Sequence, residues 1–140
     1  MSGDYCPVVW VGQVAVVALP AEIDVTNADQ VREALLAVVN QGAVSLVADM
    51  SKTTFCDSTG VSALVRAFKR ATASGDGMRL VVSSPAVHRV LGITGVDRLM
   101  PLYPSVAASL ASPHDPPGPG RGMPWPSAIT TEEPPEPSWD

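Results

Sequence analysis

Histidine and cysteine are scarce, two of each in 140 residues. Cys6 and Cys56 are far apart in sequence and form neither a CxxC pair nor a cluster of metal-ligand spacing, so no metal and no cofactor is expected. Positive charge is equally scarce. Nine Lys and Arg against fourteen Asp and Glu leave a net charge of -5, which removes the basic track needed to follow a phosphate backbone and excludes direct nucleic-acid binding. No basic leader precedes the first apolar run, which carries Asp4 in front of it. Pro7, Gly12 and Gln13 interrupt that run, and Pro20 and Glu22 end it too early for a bilayer span. A cytoplasmic protein with no membrane contact is the expectation.

Apolar residues are plentiful at 46%, enough for one core in a chain of single-domain length. "CPVVWV" and "QVAVVAL" read as two β-branched strands joined near Gly12. "TNADQVREALLAVVN" places Val31, Leu35 and Val38 at helical spacing, with Asn27 and Gln30 resembling a capping box. "AVSLVADM" and "MRLVVSS" are uninterrupted apolar runs of the kind found in strands covered on both faces. Between them Val61, Leu64, Val65 and Phe68 share one helical face, and Arg66, Lys69 and Arg70 the other. Ser84 before Pro85 starts a third helix, "RLMPLY" reads as a last short strand, and "SVAASL" as a final helical turn or two. The order ββαβαβαβα predicts one α/β domain over residues 5–111, a mixed, mostly parallel sheet of about five strands faced by about four helices.

Residues 112–140 differ in kind. These 29 positions hold nine of the fourteen prolines and supply -4 of the net charge. A disordered acidic tail is expected, in which Trp125 and Trp139 are the residues able to pack on the domain.

The tetrapeptide "DSTG", Asp57 to Gly60, sits between an apolar strand and a helix. Strand, serine-bearing turn and helix is the layout of a hydrolase nucleophile elbow, but the elbow needs a histidine. His114 lies in the tail and His88 on a short helix beside Arg89, where a solvated surface position is expected. An aspartic-protease loop fits less well, because Ser58 separates Asp57 from "TG". The plainest role is a helix cap, serine or aspartate accepting from orphan backbone N–H groups for about 1 kcal/mol.

The segment from Val47 to Tyr103 resembles the anti-sigma factor antagonist family, the bacterial STAS domain. The likeness lies in Asp49 after the third strand, "DSTG" at Asp57 to Gly60, "SPAV" at Ser84 to Val87, Gly95 after the third helix, and "AEID" at Ala21 to Asp24. The resemblance implies that the chain is not an enzyme and that Ser58 is phosphorylated by an anti-sigma factor acting as a serine/threonine kinase. It implies a PP2C-type serine phosphatase as the reversing partner, and an unphosphorylated form that binds the anti-sigma factor and releases a sigma factor for transcription, as in stress responses. Asp24, Asp57, Ser58, Thr59 and Gly60 would form the partner surface. Ala21, Thr53 and Cys56 depart from the family pattern, where glycine, an aliphatic residue and a larger apolar residue are usual. Cys56 adjoins the switch, so oxidation there, or pairing with Cys6, is a further expectation. A STAS module that senses a ligand or scaffolds a complex without phosphorylation is the alternative, and a small serine hydrolase the remote one.

Overall fold

The computed structural model describes residues 6–111. Tyr5 and the whole of 112–140, including His114, Trp125 and Trp139, lie outside the described residues. Strands β1 (Val8–Val11), β2 (Val14–Ala18), β4 (Ser45–Met50), β6 (Gly77–Val82) and β7 (Leu102–Tyr103) form one sheet in the order β1-β2-β4-β6-β7. Only β1 runs antiparallel, paired with β2 across the two-residue loop Gly12–Gln13. The other pairings are parallel, as crossover helices require. The two apolar runs read as doubly covered strands are β4 and β6, the interior of the sheet.

Helices α1 (Ala28–Asn40), α2 (Ser58–Ala73), α3 (Pro85–Thr94) and the short α4 (Val96–Leu99) cover one face. There Ala15, Val17, Leu46, Ala48, Leu80 and Val82 of the strands meet Val31, Leu35, Leu64, Ala67, Val87 and Leu91 of the helices, all buried. Each of these valines and leucines contributes about 1.5–3 kcal/mol when fully buried, and each alanine less. The opposite face is thinner: Val16, Val47 and Val81 are covered by Val106 and Leu110 of α5 (Val106–Ala111).

Beside the five-stranded sheet, β3 (Glu22–Ile23) and β5 (Phe55–Cys56) form a separate parallel ribbon, and α4 makes five helices among the described residues. Two local expectations need correction. Of "RLMPLY" only Leu102 and Tyr103 are strand, because Gly95, at φ 85, ends α3 in the left-handed region and restarts the chain as α4 through Arg98 and Leu99. Asn27 is not the base of a capping box. Its side chain turns back into the preceding loop, where Oδ1 accepts from Asp24 N at 2.9 Å and Nδ2 donates to Glu22 O at 2.7 Å. Thr53, a departure from the family pattern, is fully buried and donates its hydroxyl to Pro20 O at 2.8 Å, so its polarity is satisfied. Among the described residues no helix is long and apolar enough to cross a membrane.

Candidate functional site

The β3–β5 ribbon builds the site. Pairing Glu22 with Phe55 and Ile23 with Cys56 carries two loops side by side, and Asp57 N donates to Ile23 O at 3.1 Å. Asp24 therefore emerges next to Asp57. The Asp24 carboxylate is committed locally, with Oδ1 accepting from Thr26 N at 2.9 Å and Thr26 Oγ1 at 2.5 Å.

Asp57, in extended conformation, is the cap of α2: its Oδ1 accepts from Thr59 N at 2.9 Å, Gly60 N at 3.1 Å and Thr59 Oγ1 at 2.5 Å. The Thr59 hydroxyl first, and then the Gly60 and Thr59 amides, hold the Asp57 carboxyl below the usual carboxylate range against a smaller opposing desolvation. A cap made by Asp57 leaves Ser58 as the first residue of the helix, exposed, its hydroxyl outside the capping arrangement. Of the two readings of the cap open in the sequence, aspartate is the one realised. Thr59 differs from its neighbour in that its hydroxyl is engaged by Asp57.

Gly60 is buried in the first turn of α2. A Cβ there would stand 2.6 Å from Cys56 Sγ and 2.8 Å from Ile23 Cγ2. The glycine lets the first turn of α2 rest on the ribbon, and so fixes where Ser58 points. Cys56 beneath it is 3% exposed, and Cys6 is buried as well; both are free. Burial pushes each thiol up to about 11, with the Asp57 charge a second cause at Cys56, so little thiolate exists near neutral pH for oxidation to act on.

Between the starts of α1 and α2 runs an open groove of about 280 Å³, lined by Val25, Arg32, Ser58, Thr59, Ser62 and Arg66 among others. Arg32 is occupied by Asp29 at 3.1 Å and Glu33 at 3.3 Å, whereas Arg66 is exposed. Two large apolar side chains of the segments that build the site stand in the open: Val25, which lines the groove with Ser58, at 74% exposure, and Phe55, at the start of β5, at 49%. Sequence reading missed Val25, Phe55 and Arg66. The available signal was an apolar residue directly after Asp24 and another in the loop before "CDSTG", each indistinguishable from a core residue in sequence. His88 is exposed on α3, as expected for a solvated surface position.

The fold and site define a class, a small α/β domain with a mixed sheet, four helices on one face and a short one on the other, and an exposed serine at a capped helix start. The chain belongs to the STAS domain family, whose model matches residues 5–109. It is 29% identical over 91 residues to a protein named anti-sigma F factor antagonist from Paenibacillus polymyxa, an alignment covering 64% of this chain and 78% of that protein. The crystal structure of an anti-sigma factor antagonist from Mycobacterium paratuberculosis is similar at 31% identity and a TM-score of 0.70, covering 75% of this chain and 89% of that one. SpoIIAA, an anti-sigma factor antagonist solved in its unphosphorylated form, shares the fold at 21% identity and a TM-score of 0.65, covering 75% of this chain and 92% of its own. It has also been solved phosphorylated, as a Bacillus cell fate determinant.

Proposed function

We propose that this chain is an anti-sigma factor antagonist that acts in the cytoplasm and is switched by phosphorylation of Ser58. In this reading the unmodified form binds an anti-sigma factor and frees a sigma factor, and the anti-sigma factor is itself the serine/threonine kinase. In the modification Ser58 Oγ attacks the terminal phosphorus of ATP, its proton passes to a base of the kinase, and ADP leaves. A PP2C-type phosphatase returns the serine by hydrolysis. Catalysis belongs to the partners.

The observation that carries the reading is the division of labour at the start of α2. Asp57 does the capping and engages the Thr59 hydroxyl, which leaves Ser58 exposed at the first helical position. A phosphate there adds about -1.5 to -2 charge at a helix amino end, where exposed N–H groups favour an anion, so the fold tolerates it. A partner seated on the same rim meets a different balance. It would cover Val25 and Phe55, whose exposure suits an apolar anchor flanked by polar groups. It would also have to desolvate the new charge beside Asp57 and Asp24, at a cost of several kcal/mol for an uncompensated buried ion. Asp24, Asp57, Ser58 and Thr59 then form the partner surface directly, and Gly60 supports it from below.

The test is incubation of the chain with its anti-sigma factor and Mg-ATP, read by intact mass and peptide mapping. One phosphoryl group on Ser58, absent from Ser58→Ala, is expected. Phosphate on Thr59, or none from any anti-sigma factor that binds the chain, would sink the assignment, and the second outcome would favour a STAS module that senses a ligand in the groove. Labelling of Ser58 by a fluorophosphonate would instead support the hydrolase reading.

A further inference from the structure

The thinly covered face of the sheet has a gap at its β1 end. Paired residues share a face, so Val9, Val16, Val47 and Arg79 form one row across four strands, and Val11, Val14, Ser45 and Gly77 form the next. Helix α5 covers the middle of this face, with Val106 and Leu110 against Val16, Val47 and Val81. Val9 and Val11, one strand spacing of about 4.8 Å beyond β2, are left 61% and 46% exposed. No residue of β1 is charged, and β1 is an edge strand, the place where natural sheets usually put lysine or proline.

The course of α5 sets where the rest of the chain begins. The helix follows Tyr103, which pairs with Val81, and by its last turn Ser109 O accepts from the buried Arg79 Nη1 at 2.6 Å. It therefore runs back toward the amino ends of β4 and β6 and ends at Ala111, next to Leu110, which packs against the cluster of Val16, Val47 and Val81. From there 29 residues remain. Their first apolar stretch is Met123-Pro124-Trp125-Pro126, after an uninterrupted spacer of 11 residues, Ser112 to Gly122. Eleven residues reach well past the roughly 10–14 Å of the two or three strand spacings from α5 to β1.

We propose that Met123 to Pro126 docks in this gap, with the Trp125 ring laid over Val9 and Val11. Chemistry favours this segment over the remainder of the tail. Met123 to Pro126 is uncharged like the patch, whereas the acidic stretch Glu132 to Glu136 lies beyond it. Pro124 and Pro126 pre-set an extended backbone and so lower the ordering entropy of docking. They also withhold two N–H donors, so the contact is made by side chains on the sheet face and does not lengthen the sheet at its edge. Tethering next to the site supplies an effective concentration in the millimolar range, enough to hold a small contact closed.

The test uses the full chain with valine methyl labelling. Cross-peaks from the Trp125 indole to the methyls of Val9 and Val11 are expected, together with their loss and a shift of those methyls in Trp125→Ala, while the methyls of Val31 and Val38 on the other face stay unmoved. The result must be independent of protein concentration. Cross-peaks that vanish on dilution would mean that a second copy covers the patch. Cross-peaks from Trp139 in place of Trp125 would mean that the wrong segment was chosen, and the absence of any indole cross-peak would leave the patch without this occupant; each result overturns the proposal.

Discussion

Helices α2 and α3 each begin beside a serine, and the two serines do opposite things. At α3 the serine is the cap: Ser84 Oγ accepts from Val87 N at 3.4 Å and Pro85 follows at the first helical position. At α2 an aspartate takes that work one residue earlier, and Ser58 is displaced into the first turn with its hydroxyl exposed. The same residue type at nearly the same place is structural in one helix and chemically available in the other. What decides between them is which neighbour accepts the orphan N–H groups.

Charge placed at the two positions separates them most strongly. Ser58→Glu is expected to keep the fold and weaken anti-sigma factor binding by at least about 100-fold, or about 2.7 kcal/mol, a penalty within reach of one desolvated like-charge contact. Ser84→Glu is expected to leave the affinity unchanged; equal losses at both positions would show that charge acts through the fold and not at the interface. Next in size is Gly60→Ala, since the added Cβ meets Cys56 Sγ at 2.6 Å and Ile23 at 2.8 Å. Urea denaturation should read a loss of about 1–3 kcal/mol, the usual cost of overpacking. Adding Cys56→Ala should return part of it, a coupling that a double-mutant cycle measures.

Smaller effects sharpen the contrast. Ser84→Ala should cost about 0.5–2 kcal/mol as a lost cap, whereas Ser58→Ala, which removes no cap, should stay within about 0.5 kcal/mol of the parent in the same denaturation experiment. A comparable cost at Ser58 would contradict the cap assignment. Acid should expose the role of Asp57. Its carboxyl is held below its ordinary range in the folded chain, so its stabilisation is complete above the unfolded-state value and is lost as pH falls through the folded one. The melting temperatures of the parent and of Asp57→Asn should therefore converge below about pH 4.

Much of the sheet was legible because long apolar runs such as "AVSLVADM" and the 3.6-residue spacing of Val61, Leu64 and Phe68 are set by burial, which sequence records directly. The β3–β5 ribbon was not, since two-residue strands are too short for alternation to register. Asn27 was misread for a related reason: its capping chemistry is real but serves Asp24 N and Glu22 O, partners fixed only once the ribbon forms. At the site, Asp57, Ser58 and Thr59 stood out by resemblance, yet residue types alone could not say whether Asp57 or Ser58 caps the helix, because both are good caps. Val25 and Arg66 come from separate segments, and only the packing of α1 on α2 brings them to one groove with Ser58, while Phe55 belongs to the ribbon too short to register.

The most direct measurement is a calorimetric titration of the anti-sigma factor with the unmodified chain and with the chain phosphorylated at Ser58, both checked for an unchanged circular dichroism spectrum. The account predicts binding of the unmodified chain and an affinity at least about 100-fold lower for the phosphorylated one, with the fold intact in both. Equal affinities, or a loss of binding that tracks a loss of structure, would contradict it.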